Sequence, residues 1–198
     1  MPLSTQVSDD AGKAVIVHEM SETVADAYSA ETFEDSLHVI ALQARLMIGA
    51  HQSAVSYLPD SNFHAAIHTT SFSTKYEEYN TYDVMPTGEG IWVAVVDTNL
   101  AVRMTQEELV AGPLWKNFSN MKDKRGLEHP PMRGWLAVPI VRQNGEFIGF
   151  LQLTDKYEGD FTQQDQHELT HLAGLVGPTF GRRESLKRFT QPRLVEQA

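Results

Sequence analysis

The sequence contains no cysteine. Disulfides, thiolate zinc sites, iron–sulfur clusters, thiol nucleophiles and thioether-linked cofactors are thereby excluded. Positive charge is scarce: 16 Lys and Arg stand against 26 Asp and Glu, a formal charge of −10 over 198 residues. Broad nucleic-acid or anionic-membrane binding needs the opposite sign. No apolar run approaches the roughly 18 residues of a spanning helix. Met1 to Lys13 lack the basic and apolar regions of a signal peptide. No phosphate-binding loop, dinucleotide fingerprint, nucleophile elbow, repeat or low-complexity tract occurs. These absences leave a soluble protein, expected in the cytoplasm, with neither nucleic acid nor membrane as partner.

What is present supports one domain. Residues 1–14 read as a flexible arm, 15–188 as the folded unit and 189–198 as a polar tail. Phe33, Leu37, Ile40, Ala41, Ala44 and Ile48 recur at helical spacing. Glu31, Glu34 and Asp35 enrich the start in acid, and Gly49 supplies a stop. Residues 53–58 and 63–70 flank a Pro/Asp/Ser/Asn turn and read as a hairpin. Tyr76, Tyr79 and Tyr82 suggest a short aromatic helix face. Residues 91–96 have strand propensity, which so short a run cannot settle. Thr105 to Glu108 has capping-box spacing, and the helical region it opens is expected to continue through Pro113, Trp115 and Phe118.

Asn144-Gly145 between the apolar runs 135–142 and 147–154 is a strong hairpin cue. Thr162 and Asp165 then open a long helix with the stripe Leu169, Leu172, Ala173, Val176 and Phe180. Gly177-Pro178 is expected to kink or end it. Hairpins with flanking helices make the class α+β.

Two stretches carry a family likeness. The first is Met132-Arg133-Gly134-Trp135-Leu136-Ala137-Val138-Pro139-Ile140. The second runs from Gly149 through Gln152, Asp155-Lys156-Tyr157-Glu158-Gly159 and Phe161-Thr162 to Asp165. Upstream, residues 82–90 and 103–105 fit the same pattern. The chain resembles a GAF domain, of the type found as sensor modules of bacterial histidine kinases, over roughly residues 30–185. The resemblance implies a central antiparallel sheet of five or six strands. N- and C-terminal helices cover one face and often pair with a second subunit. Short helices and loops roof a small-molecule pocket on the other. It also implies that residues 89–98 form a helix, against local propensity. Bilin-binding members and the methionine sulfoxide reductases of the family use Cys, so neither a covalent bilin nor that chemistry is expected.

The pocket candidates follow from this layout. Gly88 and Gly90 would lie at a helix N-terminus able to attract an anion, or simply form a tight turn. Arg103 and Arg133 could grip a carboxylate or phosphate, or form structural ion pairs. Trp92, Trp115, Phe118 and Trp135 could stack on a planar ligand, or belong to the core. His64, His68 and His129 are candidate axial ligands for haem. His64 and His68 would share a strand face, and His167 and His171 a helix face, but neither pair has a third ligand at zinc spacing. Asp155 to Asp160 lacks the spacing of a calcium loop and reads as a strand exit and turn.

The expectation is therefore a sensory or regulatory module without catalysis. It would bind a small molecule non-covalently and signal through dimeric terminal helices, with a histidine kinase or another signalling protein as partner. The alternatives are a ligand-free dimerisation or docking module, or a haem-based redox or gas sensor. An enzyme would need a reactive pair near the pocket, which the sequence does not display.

Overall fold

The computed structural model describes residues 4–82, 90–113, 122–123 and 125–190, with backbone alone for 4–13, 60 and 181–190. Helix α1 spans Ser4–Ser29 and buries Met20, Thr23 and Ala27. The expected arm over 1–14 is thus, from Ser4 onward, part of a helix. No proline interrupts Ser4–Ser29, and extending a helix already anchored by packing avoids the cost of nucleation.

Helix α2, Phe33–Ile48, keeps the predicted stripe and stop. Thr32 Oγ1 accepts from Asp35 N at 3.0 Å and Asp35 Oδ2 accepts from Thr32 N at 3.2 Å. This reciprocal cap satisfies two donors that the first turn leaves open. At the far end Gly49, with φ 73°, donates to Arg45 O at 3.1 Å.

Five strands form one antiparallel sheet: β1 Ala50–Tyr57, β2 Ile67–Phe72, β3 Val102–Met104, β4 Trp135–Val141 and β5 Phe147–Lys156. Their order is β2-β1-β5-β4-β3. The Asn144-Gly145 turn closes the β4–β5 hairpin, with Gly145 N bonded to Arg142 O at 2.9 Å. The β1–β2 hairpin differs from expectation at Phe63–Ala65, which is a 3-10 turn. Asn62 accepts there from His64 N at 2.9 Å, a local bond that competes with strand pairing. His64 is therefore off the strand that carries His68.

Alternation along the strands divides the core. Val55, Tyr57, Leu136, Val138, Ile140, Leu151 and Leu153 face α1, α2 and the last helix. Trp135, Ala137 and Phe150 face the other way and pack with Leu58, Ile91, Trp92, Val95 and Leu109. That second face carries a 3-10 helix, Thr74–Thr81, and two short helices, α3 Val93–Val96 and α4 Gln106–Ala111. The helix implied over 89–98 is thus realised as one turn, while α4 has the expected capping box at Thr105 and Glu108.

Helix α5, Gln163–Thr190, starts on the Thr162–Asp165 cap and buries the predicted stripe. It does not end at Gly177-Pro178. Proline removes the bond to the carbonyl of Gly174, and both residues are exposed, so water can serve that carbonyl. Gly177 has a different reason: a Cβ there would lie 2.1 Å from Val141 O, so only glycine lets α5 approach β4 this closely.

Candidate functional site

The face opposite the long helices carries a cavity of about 60 Å³, room for a few water-sized groups. Gln52 and Ala54 of β1, His68, Thr70 and Phe72 of β2, and Gln152 and Thr154 of β5 supply its sheet side. Trp92, Trp135, Tyr82 and the segment His129–Met132 close around it.

Gln152 organises the centre. Its Oε1 accepts from Trp135 Nε1 at 2.9 Å and from Trp92 Nε1 at 3.1 Å. An indole N–H only donates, so the amide orientation follows from its two partners. Gln52 Nε2 donates to Pro131 O at 2.5 Å, tying β1 to the segment before β4. Thr154 Oγ1 donates to Gly134 O at 2.8 Å and accepts from Arg133 N at 2.9 Å.

Tyr82 stands within a chain of edge-to-face rings: Tyr76–Tyr79 at 6.0 Å, Tyr79–Tyr82 at 6.5 Å and Tyr82–His129 at 5.6 Å. Its hydroxyl is buried without a hydrogen-bond partner. Burial and the nearby Asp123 carboxylate push its pKa up to about 12, so it stays a neutral donor. An unsatisfied buried donor costs about 1–3 kcal/mol, which a ligand acceptor would offset. Arg125 holds this corner: its Nε and Nη2 donate to Asp123 Oδ2 at 2.9 and 2.7 Å, and Nη1 donates to Thr81 Oγ1 at 2.7 Å. The Asp123–Arg125 clasp, absent from the sequence expectations, fixes the chain next to Tyr82.

His129 Nδ1 donates to Pro130 O at 2.7 Å, because a carbonyl only accepts. Burial lowers its pKa, against a smaller opposite effect of that bond. His68 Nδ1 lies 2.8 Å from Ser56 Oγ. Ser56 is fully buried and does not line the cavity, so this Ser–His pair offers no substrate a nucleophile.

A second polar cluster lies where β1 begins and β5 ends. Asp155, fully buried, accepts through Oδ2 from Lys75 Nζ and from Tyr76 OH, the latter at 2.7 Å. His51 Nδ1 lies 2.7 Å from Ser73 Oγ, and Arg45 donates to Ser71 Oγ at 3.0 Å and Tyr157 OH at 3.2 Å. This cluster joins α2, three strands and the 3-10 helix.

Of the sequence candidates, Trp92, Trp135, His68 and His129 line the cavity together. Gly90 precedes the single turn of α3 with φ 92°. Arg103 is exposed and donates to Phe161 O at 3.0 Å, and the Arg133 side chain is exposed; neither lines the cavity. His64 is exposed on its 3-10 turn. Gly88, Trp115 and Phe118 lie outside the described residues. The cavity of about 60 Å³ formed by the described residues is far smaller than a porphyrin, although His68 and His129 are both at its wall. Tyr82, weighed with Tyr76 and Tyr79 as a stacking or core ring, is at the wall; Gln52 and Gln152 were not among the candidates, and the inward alternation of Phe150, Gln152 and Thr154 on β5 is the signal that marks Gln152.

A family model for the GAF domain matches residues 32–179. No curated protein sequence matches the chain. Among solved structures, the GAF domain of a phosphoenolpyruvate-protein phosphotransferase from Coxiella burnetii is 15% identical with TM-score 0.65, covering 87% of this chain and 96% of that one. A free methionine-R-sulfoxide reductase from Neisseria meningitidis in complex with its substrate is 13% identical with TM-score 0.62, covering 87% and 92%. The GAF domain of a putative sensor histidine kinase from Pseudomonas syringae pv. tomato is 10% identical with TM-score 0.57, covering 93% and 97%. At these identities the likeness is one of fold.

Proposed function

As the chain belongs to the GAF domain family, whose members are generally sensory or regulatory modules, we propose that it is a non-catalytic sensor of the cytoplasm. It binds a small molecule non-covalently in the cavity beside Gln152 and works as a dimer through its terminal helices. The supporting observation is the cavity itself: partly open, lined by aromatic rings, and on the face of the sheet opposite α1, α2 and α5. A ligand there touches strands whose alternate residues carry the helical layer, so binding and helix arrangement can be linked if the two states differ in affinity. No helix among the described residues is long and apolar enough to cross a membrane. A histidine kinase or another signalling protein is the proposed partner.

Native mass spectrometry of the purified full chain, set against its denatured mass, tests this reading. The expected result is a dimer carrying a small excess mass that denaturation removes. A dimer without excess mass, and unchanged on adding small-molecule mixtures, favours a docking module instead. That second reading draws on the two indoles already closed onto Gln152. A monomer overturns the dimeric part.

A further inference from the structure

The charge of the cavity wall narrows the ligand. Among the described residues, no Lys, Arg, Asp or Glu lines it. Asp123, whose charge reaches Tyr82, is paired with Arg125 at 2.7 Å. An ion entering this site would shed water and meet no carboxylate, ammonium or guanidinium among the described residues of the wall, which disfavours it.

Two of the polar groups on offer are donors, while Gln52, its Nε2 tied to Pro131 O, turns an acceptor oxygen to the site. With Gln152 Oε1 occupied by two indoles, the Nε2 amine is the part of the amide left for a ligand. The buried Tyr82 hydroxyl, having no acceptor of its own, is a second donor. Around them stand flat or pliable apolar groups: Trp92, Trp135, Phe72 and Met132.

We infer that the site takes an uncharged planar ligand of one ring, which overfills the cavity of about 60 Å³ and extends through its open side, bearing a carbonyl or ring-nitrogen acceptor that receives hydrogen bonds from Gln152 and Tyr82. This rests on reading the cavity as a ligand site, and it excludes free anions and zwitterionic amino acids as the ligand class.

Nicotinamide and nicotinate test it, since they share one ring and differ in charge. The sequence has three tryptophans, so the ¹⁵N-labelled full chain shows three indole N–H signals. Trp115→Phe identifies the one that is not in the described wall. Nicotinamide is expected to shift the Trp92 and Trp135 signals in a saturable way, and nicotinate at neutral pH is not. Tyr82→Phe should weaken nicotinamide about 2- to 12-fold, the worth of one neutral hydrogen bond. Gln152→Glu keeps an acceptor for both indoles but replaces the donor, and should abolish nicotinamide binding while the indole signals stay dispersed. Equal or tighter binding of nicotinate at the same two signals overturns the uncharged class and leaves the cavity reading standing. No shift with either probe overturns the ligand class, and the native mass measurement then decides separately whether the cavity reading falls with it.

Discussion

Asp155 concentrates several constraints in one side chain. It is fully buried, its φ is 56°, and its Oδ1 is buried without a partner. Burial pushes its pKa up, but the hydrogen bonds from Lys75 and Tyr76 outweigh burial and hold the carboxyl below its ordinary 3.8. A carboxyl lowered in the folded state stabilises the fold above the unfolded value. That contribution disappears as pH falls through the folded value, because the unfolded chain takes up a proton first. Asp155→Asn isolates the charge, since Asn also tolerates left-handed backbone. The variant is expected to lose about 1–2 kcal/mol near pH 7, the lower part of the range for charged hydrogen bonds because the Lys75 end is partly exposed. Urea unfolding at about pH 7 and about pH 3 checks it: the gap between wild type and variant should narrow at the lower pH. A gap independent of pH would assign the loss to shape rather than charge. The sequence showed Asp155 as a strand exit but hid its partners. Lys75 and Tyr76 lie about 80 positions upstream and reach it only through the β1–β5 register. Gln152 was hidden for the same reason: two tryptophans from separate elements converge on it.

Helix α5 separates two uses of glycine on one element. Gly177 touches the β4 backbone, and a Cβ there would sit 2.1 Å from Val141 O; Gly174 is exposed with nothing within 4 Å of that position. Intrinsic helix propensity favours alanine by about 1 kcal/mol at both. Gly174→Ala is therefore expected to stabilise by about 0.5–1 kcal/mol. Gly177→Ala is expected to destabilise by about 1–3 kcal/mol, because the backbones must part. Urea titrations of both variants decide it, and stabilisation by Gly177→Ala would mean that α5 moves off β4 without cost. Elements marked by local chemistry were legible in advance: the Thr162–Asp165 and Thr105–Glu108 caps, the Asn144-Gly145 hairpin, and the α2 and α5 stripes. Gly177-Pro178 misled because its chemistry signals a break, whereas β4 explains the glycine and exposure makes the proline tolerable. Residues 91–96 misled for another reason. Their apolar side chains serve the small core around Trp92 and Phe150, and burial there does not depend on strand or helix.

Over the whole molecule, the sheet is a partition with packed groups on both sides. On the helical side Phe33 of α2, Tyr57 of β1 and Phe180 of α5 meet edge to face, with centroids 4.9, 5.3 and 5.9 Å apart. On the cavity side the residue next to Tyr57, Ser56, is bonded to His68 in the cavity wall at 2.8 Å. A shift of Phe180 is thus two residues and one hydrogen bond from the cavity wall, through a strand that presents its neighbours to opposite faces. If the faces are coupled, linkage requires the coupling to be reciprocal. Phe180→Ala should cost about 3–5 kcal/mol of stability, leaving a folded protein if the total lies in the usual range of about 5–15 kcal/mol. In that folded variant nicotinamide should bind more weakly. In wild type the same probe should slow amide exchange in α5 around Phe180. Titration of the indole signals and hydrogen exchange measure the two directions of this coupling. An unchanged affinity in a folded Phe180→Ala protein would make the faces energetically independent, and the helices would then report on a partner at their own surface rather than on the cavity.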